Sequence, residues 1–111
     1  MVNWPAIIKH SGDPELIYVS NQNEWENDVD LHYFEYDETD FLLDSDGKIY
    51  TLKEKESFYI NPEPNGDSKS LQDILGLVKA HAAQQGSCCV AKLYAPSIVG
   101  ALKIVESLNE T

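Results

Sequence analysis

Between Phe41 and Leu52 the sequence FLLDSDGKIYTL sets an Asp-Gly pair between two apolar runs, and this stretch restricts the fold more than any other. Asp-Gly favours the left-handed backbone that tight turns require, so the flanking runs are expected to pair as antiparallel strands. With Asp46 and Gly47 as a two-residue turn, Leu43 faces Tyr50 and Phe41 faces Leu52 on a single surface. The same residues resemble part of a calcium loop, which needs oxygen ligands at positions 1, 3 and 5, glycine at 6 and a bidentate glutamate at 12. Placing Gly47 at position 6 puts Leu42 at position 1 and Lys53 at position 12. Both ends of the cage are then missing, and the hairpin reading is preferred.

The other segments arrange themselves around this hairpin. PAIIKH (Pro5 to His10) and ELIYVS (Glu15 to Ser20) are β-rich runs around the turn cluster SGDP and read as a second hairpin. Ser20 or Asn21 can cap a short helix in which Trp25 and Val29, four apart, share a face. LHYFEYD then reads as a strand, with Leu31 and Tyr33 on one side and His32, Phe34 and Tyr36 on the other. TLKEKESFYI extends the second arm of the Asp-Gly hairpin, and NPEPNGDSKS, residues 61–70, reads as a long polar loop.

After that loop the apolar period changes. Ser70 and Asp73 resemble a capping box, and Leu71, Ile74, Leu75, Val78 and Ala82 form a helical stripe that ends near Gly86. CCVAKLYA reads as an apolar strand. Pro96 and Ser97 open a last helix with Ile98, Ala101, Leu102, Val105 and Leu108 inward. The order is therefore β-β-α-β-β-β-α-β-α in a single α+β domain over residues 1–111. A mainly antiparallel sheet of five to six strands is expected, with helices on one face. Its parts are an acidic β-rich segment 1–60, a loop 61–70 and a helical segment 71–111.

Charge narrows the partners. Nineteen acids stand against eight lysines and no arginine, a net −11, and residues 1–56 carry −10 of it. Such a surface repels phosphate backbones and anionic lipid, so nucleic-acid and membrane binding are disfavoured. No stretch approaches the roughly 20 apolar residues of a membrane helix, and the start lacks a basic segment followed by an apolar run. A cytoplasmic protein is expected. A hydrophobic fraction of 42% with two Trp, six Tyr and three Phe is enough for a core without metal or disulfide staples.

The chemistry-bearing residues are few. Adjacent Cys88 and Cys89 have α-carbons about 3.8 Å apart, too close for an ordinary disulfide. A thiol activity would need a neighbouring base, and His81 is the candidate. His10, His32 and His81 show no metal-ligand spacing, and no phosphate-loop, dinucleotide or nucleophile-elbow motif occurs. No catalytic residue, cofactor or metal is assigned. Acids interleaved with aromatics from Asn23 to Phe41 suit a recognition surface, because aromatics carry interface energy and carboxylates steer a basic partner. The expected function is thus a non-enzymatic adaptor or inhibitor that binds a basic protein partner through Trp25, His32, Tyr36, Asp37, Glu38 and Asp40. The alternative is small-molecule binding or thiol chemistry at Cys88, Cys89 and His81. Pro5 to His10 is read as an edge strand that Pro5 and Lys9 guard against pairing, and a monomer is expected.

NWPAIIK (Asn3 to Lys9), DLHYFEY (Asp30 to Tyr36), LLDSDGKIY and AHAAQQGSCCVAKL (Ala80 to Leu93) together resemble a family of small, stand-alone bacterial proteins catalogued as a domain of unknown function. The resemblance implies a small cytoplasmic α+β domain and carries no activity, ligand or catalytic residue.

Overall fold

A computed structural model describes residues 1–87 and 90–109 of the chain. Strands β1 (Ala6–Lys9), β2 (Leu16–Val19), β3 (Phe41–Leu43), β4 (Lys48–Thr51) and β7 (Glu63–Ser68) form one sheet in the order β2-β1-β3-β4-β7, every pairing antiparallel. β5 (Lys55–Glu56) and β6 (Tyr59–Ile60) make a separate small hairpin. The long helices α3 (Leu71–Gln84) and α4 (Ile98–Asn109) pack on one face of the sheet, as the apolar stripes require. The short helices α1 (Gln22–Asn27) and α2 (Val29–Tyr33) lie on the opposite face with the β5–β6 hairpin. The domain is α+β, as expected, with helices added on the second face.

Asp44 sets the geometry of the central hairpin. Its carboxylate is fully buried and accepts four hydrogen bonds, from Asp46 N (2.9 Å) and Lys48 N (3.0 Å) on Oδ1 and from Asn3 N (3.1 Å) and Tyr50 Oη (3.0 Å) on Oδ2. Asp44 N–H donates to Lys48 O and Gly47 N–H to Asp44 O, so the connection has three residues, Ser45 to Gly47, instead of two. Gly47 takes φ +82°, the left-handed last position of such a loop. A Cβ there would also lie 2.6 Å from Lys69 O. The extra residue moves the register by one: Leu42 pairs with Tyr50 and Leu43 with Ile49. This corrects the expected facing of Leu43 with Tyr50 and Phe41 with Leu52.

A one-residue slip sends each side chain to the other face. Leu42, Tyr50 and Leu52 join Ala6, Ile8 and Val19 under Trp25, Leu31 and Tyr36. Leu43 and Ile49 join Ile7 and Leu16 under Ile74, Val78, Leu102 and Val105. The sheet is apolar on both faces, which explains why its strands read as continuous apolar runs.

Five further expectations change. Residues 31–37 do not form a strand. Asp28 closes α1 with its N–H on Glu24 O and opens α2 with its carboxylate on Asp30 N (3.1 Å), so a local cap overrides the β-propensity of LHYFEY. The break also turns Val29 outward, 71% exposed, while Trp25 is buried, so the two do not share a face. Residues 61–70, expected as a loop, contain β7, an exposed edge strand held by main-chain bonds to β4 and interrupted by an irregularity between Lys48 and Tyr50. Of the expected strand CCVAKLYA, Val90–Lys92 is a 3₁₀ turn, and Cys88 and Cys89 lie outside the described residues. β1 is interior, between β2 and β3, so it is not the expected edge strand.

The helix signals hold. Asn21 caps α1 through Glu24 N (2.8 Å) and Ser70 caps α3 through Asp73 N (3.1 Å). Gly86, φ +80°, follows the end of α3.

Replacing Asp44 by Asn puts an amide where the chain presents only donors to Oδ1 and Oδ2. The expected loss is about 2–4 kcal/mol of stability, read from urea unfolding. Burial first, and then the hydrogen bond to Asp44 and its charge, push the Tyr50 phenol up to about 12 from an ordinary 10.0. A raised folded value means that the contribution is complete below about pH 10 and is lost as pH rises toward 12, where the unfolded chain ionises first. Stability should therefore fall across that window, and Tyr50→Phe should flatten the fall when urea midpoints are measured against pH. An equal slope in both proteins would refute the assignment.

Candidate functional site

Most of the polar residues that the sequence marks for recognition are used inside the fold. Trp25 is completely buried, with its ring centroid 4.4 Å from that of His32. His32 is buried with both ring nitrogens engaged: Nδ1 accepts from Ile60 N–H at 2.9 Å, which leaves Nε2–H to donate to Trp25 O at 2.7 Å. One imidazole therefore ties the end of α1 to β6. The buried Tyr36 hydroxyl donates to Leu31 O (2.8 Å), a carbonyl of α2, and burial together with Asp40 and Asp28 raises its phenol well above the ordinary range.

Asp37 and Asp40 lock the next loop reciprocally. Asp37 N–H donates to Asp40 Oδ2 (2.8 Å), and Asp40 N–H donates to Asp37 Oδ1 (3.1 Å). Thr39 adds its hydroxyl and N–H to Asp37 Oδ1, and these bonds, the hydroxyl first, lower the Asp37 carboxyl below its usual range. Asp40 also accepts from Ser11 N–H and is buried. Glu38 is exposed and pairs with the exposed Lys53 at 3.4 Å.

His81 is no more available. It is fully buried in α3, and its Nδ1 accepts the Leu16 N–H of β2 at 3.0 Å. Its hydrogen therefore sits on Nε2, which can donate but has no lone pair with which to take a proton from a thiol. Cys88 and Cys89 lie outside the described residues. Among the described residues no group of three or more His, Cys, Asp and Glu could hold a metal ion.

The structure instead opens a cleft of about 750 Å³ between α2 and the β5–β6 hairpin. His32 and Tyr59 lie at its base, rings stacked at 4.8 Å and 24°. Val29 and Tyr33, one helical turn apart on α2, stand on one side at 71% and 83% exposure. Phe58, 88% exposed, stands on the other at the hairpin tip. Glu26, Glu35 and Glu56 line the opening with Lys55. Those three glutamates form no ion pair among the described residues.

The hairpin tip is itself unusual. Ser57 holds φ +55° without being glycine, a conformation that costs about 1 kcal/mol or more and that here turns Phe58 away from the core. Exposed rings above a buried aromatic base, surrounded by carboxylates, form a surface suited to binding. His32 is not free to act as a base in the cleft, because both of its ring nitrogens are committed to backbone groups. The sequence did contain a signal for it. Once Asp28 is taken as a cap, Val29 and Tyr33 fall one turn apart on the side of α2 away from Leu31.

Residues 4–105 match the model of a family described as a protein structure with unknown function. The NMR structure of a protein from Shewanella amazonensis superposes with a TM-score of 0.70 at 24% identity, covering 97% of this chain and 90% of that one. That likeness carries the fold. No curated protein matches the chain.

The two kinds of aromatic residue should behave oppositely. His32→Leu strands the Ile60 N–H and the Trp25 carbonyl and should cost about 2–4 kcal/mol in urea unfolding, whereas Phe58→Ala should stay within about 0.5 kcal/mol of wild type. A large loss for Phe58→Ala would show that this ring serves the core.

Proposed function

We propose, from the premise that the chain belongs to the DUF4144 family, that it is a non-catalytic protein-interaction domain, an adaptor or inhibitor acting in the cytoplasm. Its binding site is the cleft between α2 and the β5–β6 hairpin, and its partner is a basic protein segment. The observation that carries this reading is the outward placement of Val29, Tyr33 and Phe58 around one cleft. Large apolar side chains gathered in this way mark an interaction surface, and aromatics are the residues that dominate binding energy. The charge of the partner follows from complementarity with Glu26, Glu35 and Glu56 and with the −10 of residues 1–56.

The domain acts as a monomer in this reading. Both edges of the sheet are guarded. At the β2 edge the N–H of Leu16 goes to His81 and that of Ser20, just past the strand, to Glu24 Oε1 (3.3 Å), and β7 carries Pro64, Glu63 and Asp67.

Selection from a displayed random-peptide library tests the assignment. Captured peptides should be basic and carry at least one large side chain. Their affinity should fall with added salt, and Tyr33→Ala combined with Phe58→Ala should weaken it by roughly tenfold or more. Recovery of neutral or acidic peptides, or equal capture by the double variant, would remove the reading.

A further inference from the structure

We propose that the group seated in this cleft is an arginine side chain of the partner, packed flat against the exposed aromatic rings with its edge toward the rim carboxylates. This rests on the reading of the cleft as a binding site. Its base presents mainly ring faces: both nitrogens of His32 are taken by Trp25 O and Ile60 N–H, and the stacked Tyr59 adds one hydroxyl, which accepts from Gln22 Nε2 at 3.5 Å. A lysine ammonium is compact and strongly hydrated. Brought against those rings it would exchange water for surfaces that satisfy none of its three donors.

A guanidinium differs in shape. Its two faces are weakly hydrated and stack on aromatic rings, while its donors lie in the plane and point outward. Tyr33, Phe58 and Tyr59 supply rings, and Glu26, Glu35 and Glu56 supply carboxylates that no cation among the described residues occupies. A carboxylate can accept the guanidinium edge in bidentate fashion, which a lysine cannot offer. The chain itself contains no arginine, so the ligand is supplied by another protein and not by a second copy.

The experiment is an NMR titration of the intact chain with N-acetyl methylamides of arginine, citrulline, lysine and norleucine. The arginine compound should shift the resonances of Tyr33, Ser57, Phe58 and Tyr59 and bind roughly five- to tenfold more tightly than the lysine one. Citrulline keeps the planar shape without the charge and should bind as weakly as lysine. E35Q/E56Q should remove the advantage of arginine over citrulline, and F58A should weaken arginine binding while the fold is retained. Norleucine binding as tightly as arginine would overturn the arginine assignment and leave an apolar binding cleft. If none of the four compounds perturbs the cleft, the binding reading itself fails and the arginine assignment falls with it.

Discussion

The fold depends on one buried carboxylate. Among the described residues Asp44 forms no ion pair, so its charge is stabilised by the four donors aimed at it: one in its own turn, two on the strand across the turn, and one on the amino-terminal segment. Removing a carboxylate from water is costly unless its lone pairs are filled, so the chain around Asp44 is held to the conformation that fills them. That conformation is the three-residue connection, and the connection sets the register. The same site pins residues 1–5, because Ser45 N–H donates to Asn3 O, its hydroxyl to Pro5 O, and the single Tyr50 proton is shared between Asp44 and Met1 O.

A sheet with two apolar faces has to be covered twice. The carboxy-terminal helices α3 and α4 do this for one face from long apolar stripes. The other face is left to helices of six and five residues, too short to hold by propensity. They persist because their ends are tied: Asn21 and Asp28 at the starts, Tyr36 and His32 at the ends, the last bonding also to β6. His32 consequently belongs to the core and to the base of the cleft at once. A cleft built over such a link has a rigid base, and its side chains at the rim can vary without unfolding it.

The same economy of local bonds explains what was legible in the sequence. The β1–β2 hairpin, α3 and α4 could be read because their apolar spacing and their caps agree. The β3–β4 hairpin could be read too, but not its register, since a two-residue and a three-residue connection both use Asp-Gly. The difference lies in donors from Asn3 and Tyr50, which approach Asp44 only in space. For residues 29–33, β-rich composition competed with a cap at Asp28, and adjacent Leu31 and His32 are both buried, as in a helix and not in an alternating strand. β7 buries no side chain, so nothing in its residue pattern could announce it. The cleft was hidden by the same error as α2, because a strand at 31–37 turns Tyr33 the wrong way.

The acidity of the amino-terminal half also takes a different meaning from the structure. Asp13, Glu24, Asp28, Asp37, Asp40 and Asp44 each accept a backbone N–H in a turn, cap or strand end. Short elements create many chain ends, and Asp, whose carboxylate reaches its own neighbouring backbone, is the side chain that satisfies them. Aspartate therefore dominates the structural set, while the cleft rim is built from the longer glutamates. All of these charges add to the field around the domain, and for the basic partner proposed above that field would govern the rate of encounter. In the proposed binding mode, the rim glutamates are the acids placed to change the energy of the bound state. Neutralising a capping aspartate costs stability first, so the structural role of the acids and the proposed binding role separate by residue type.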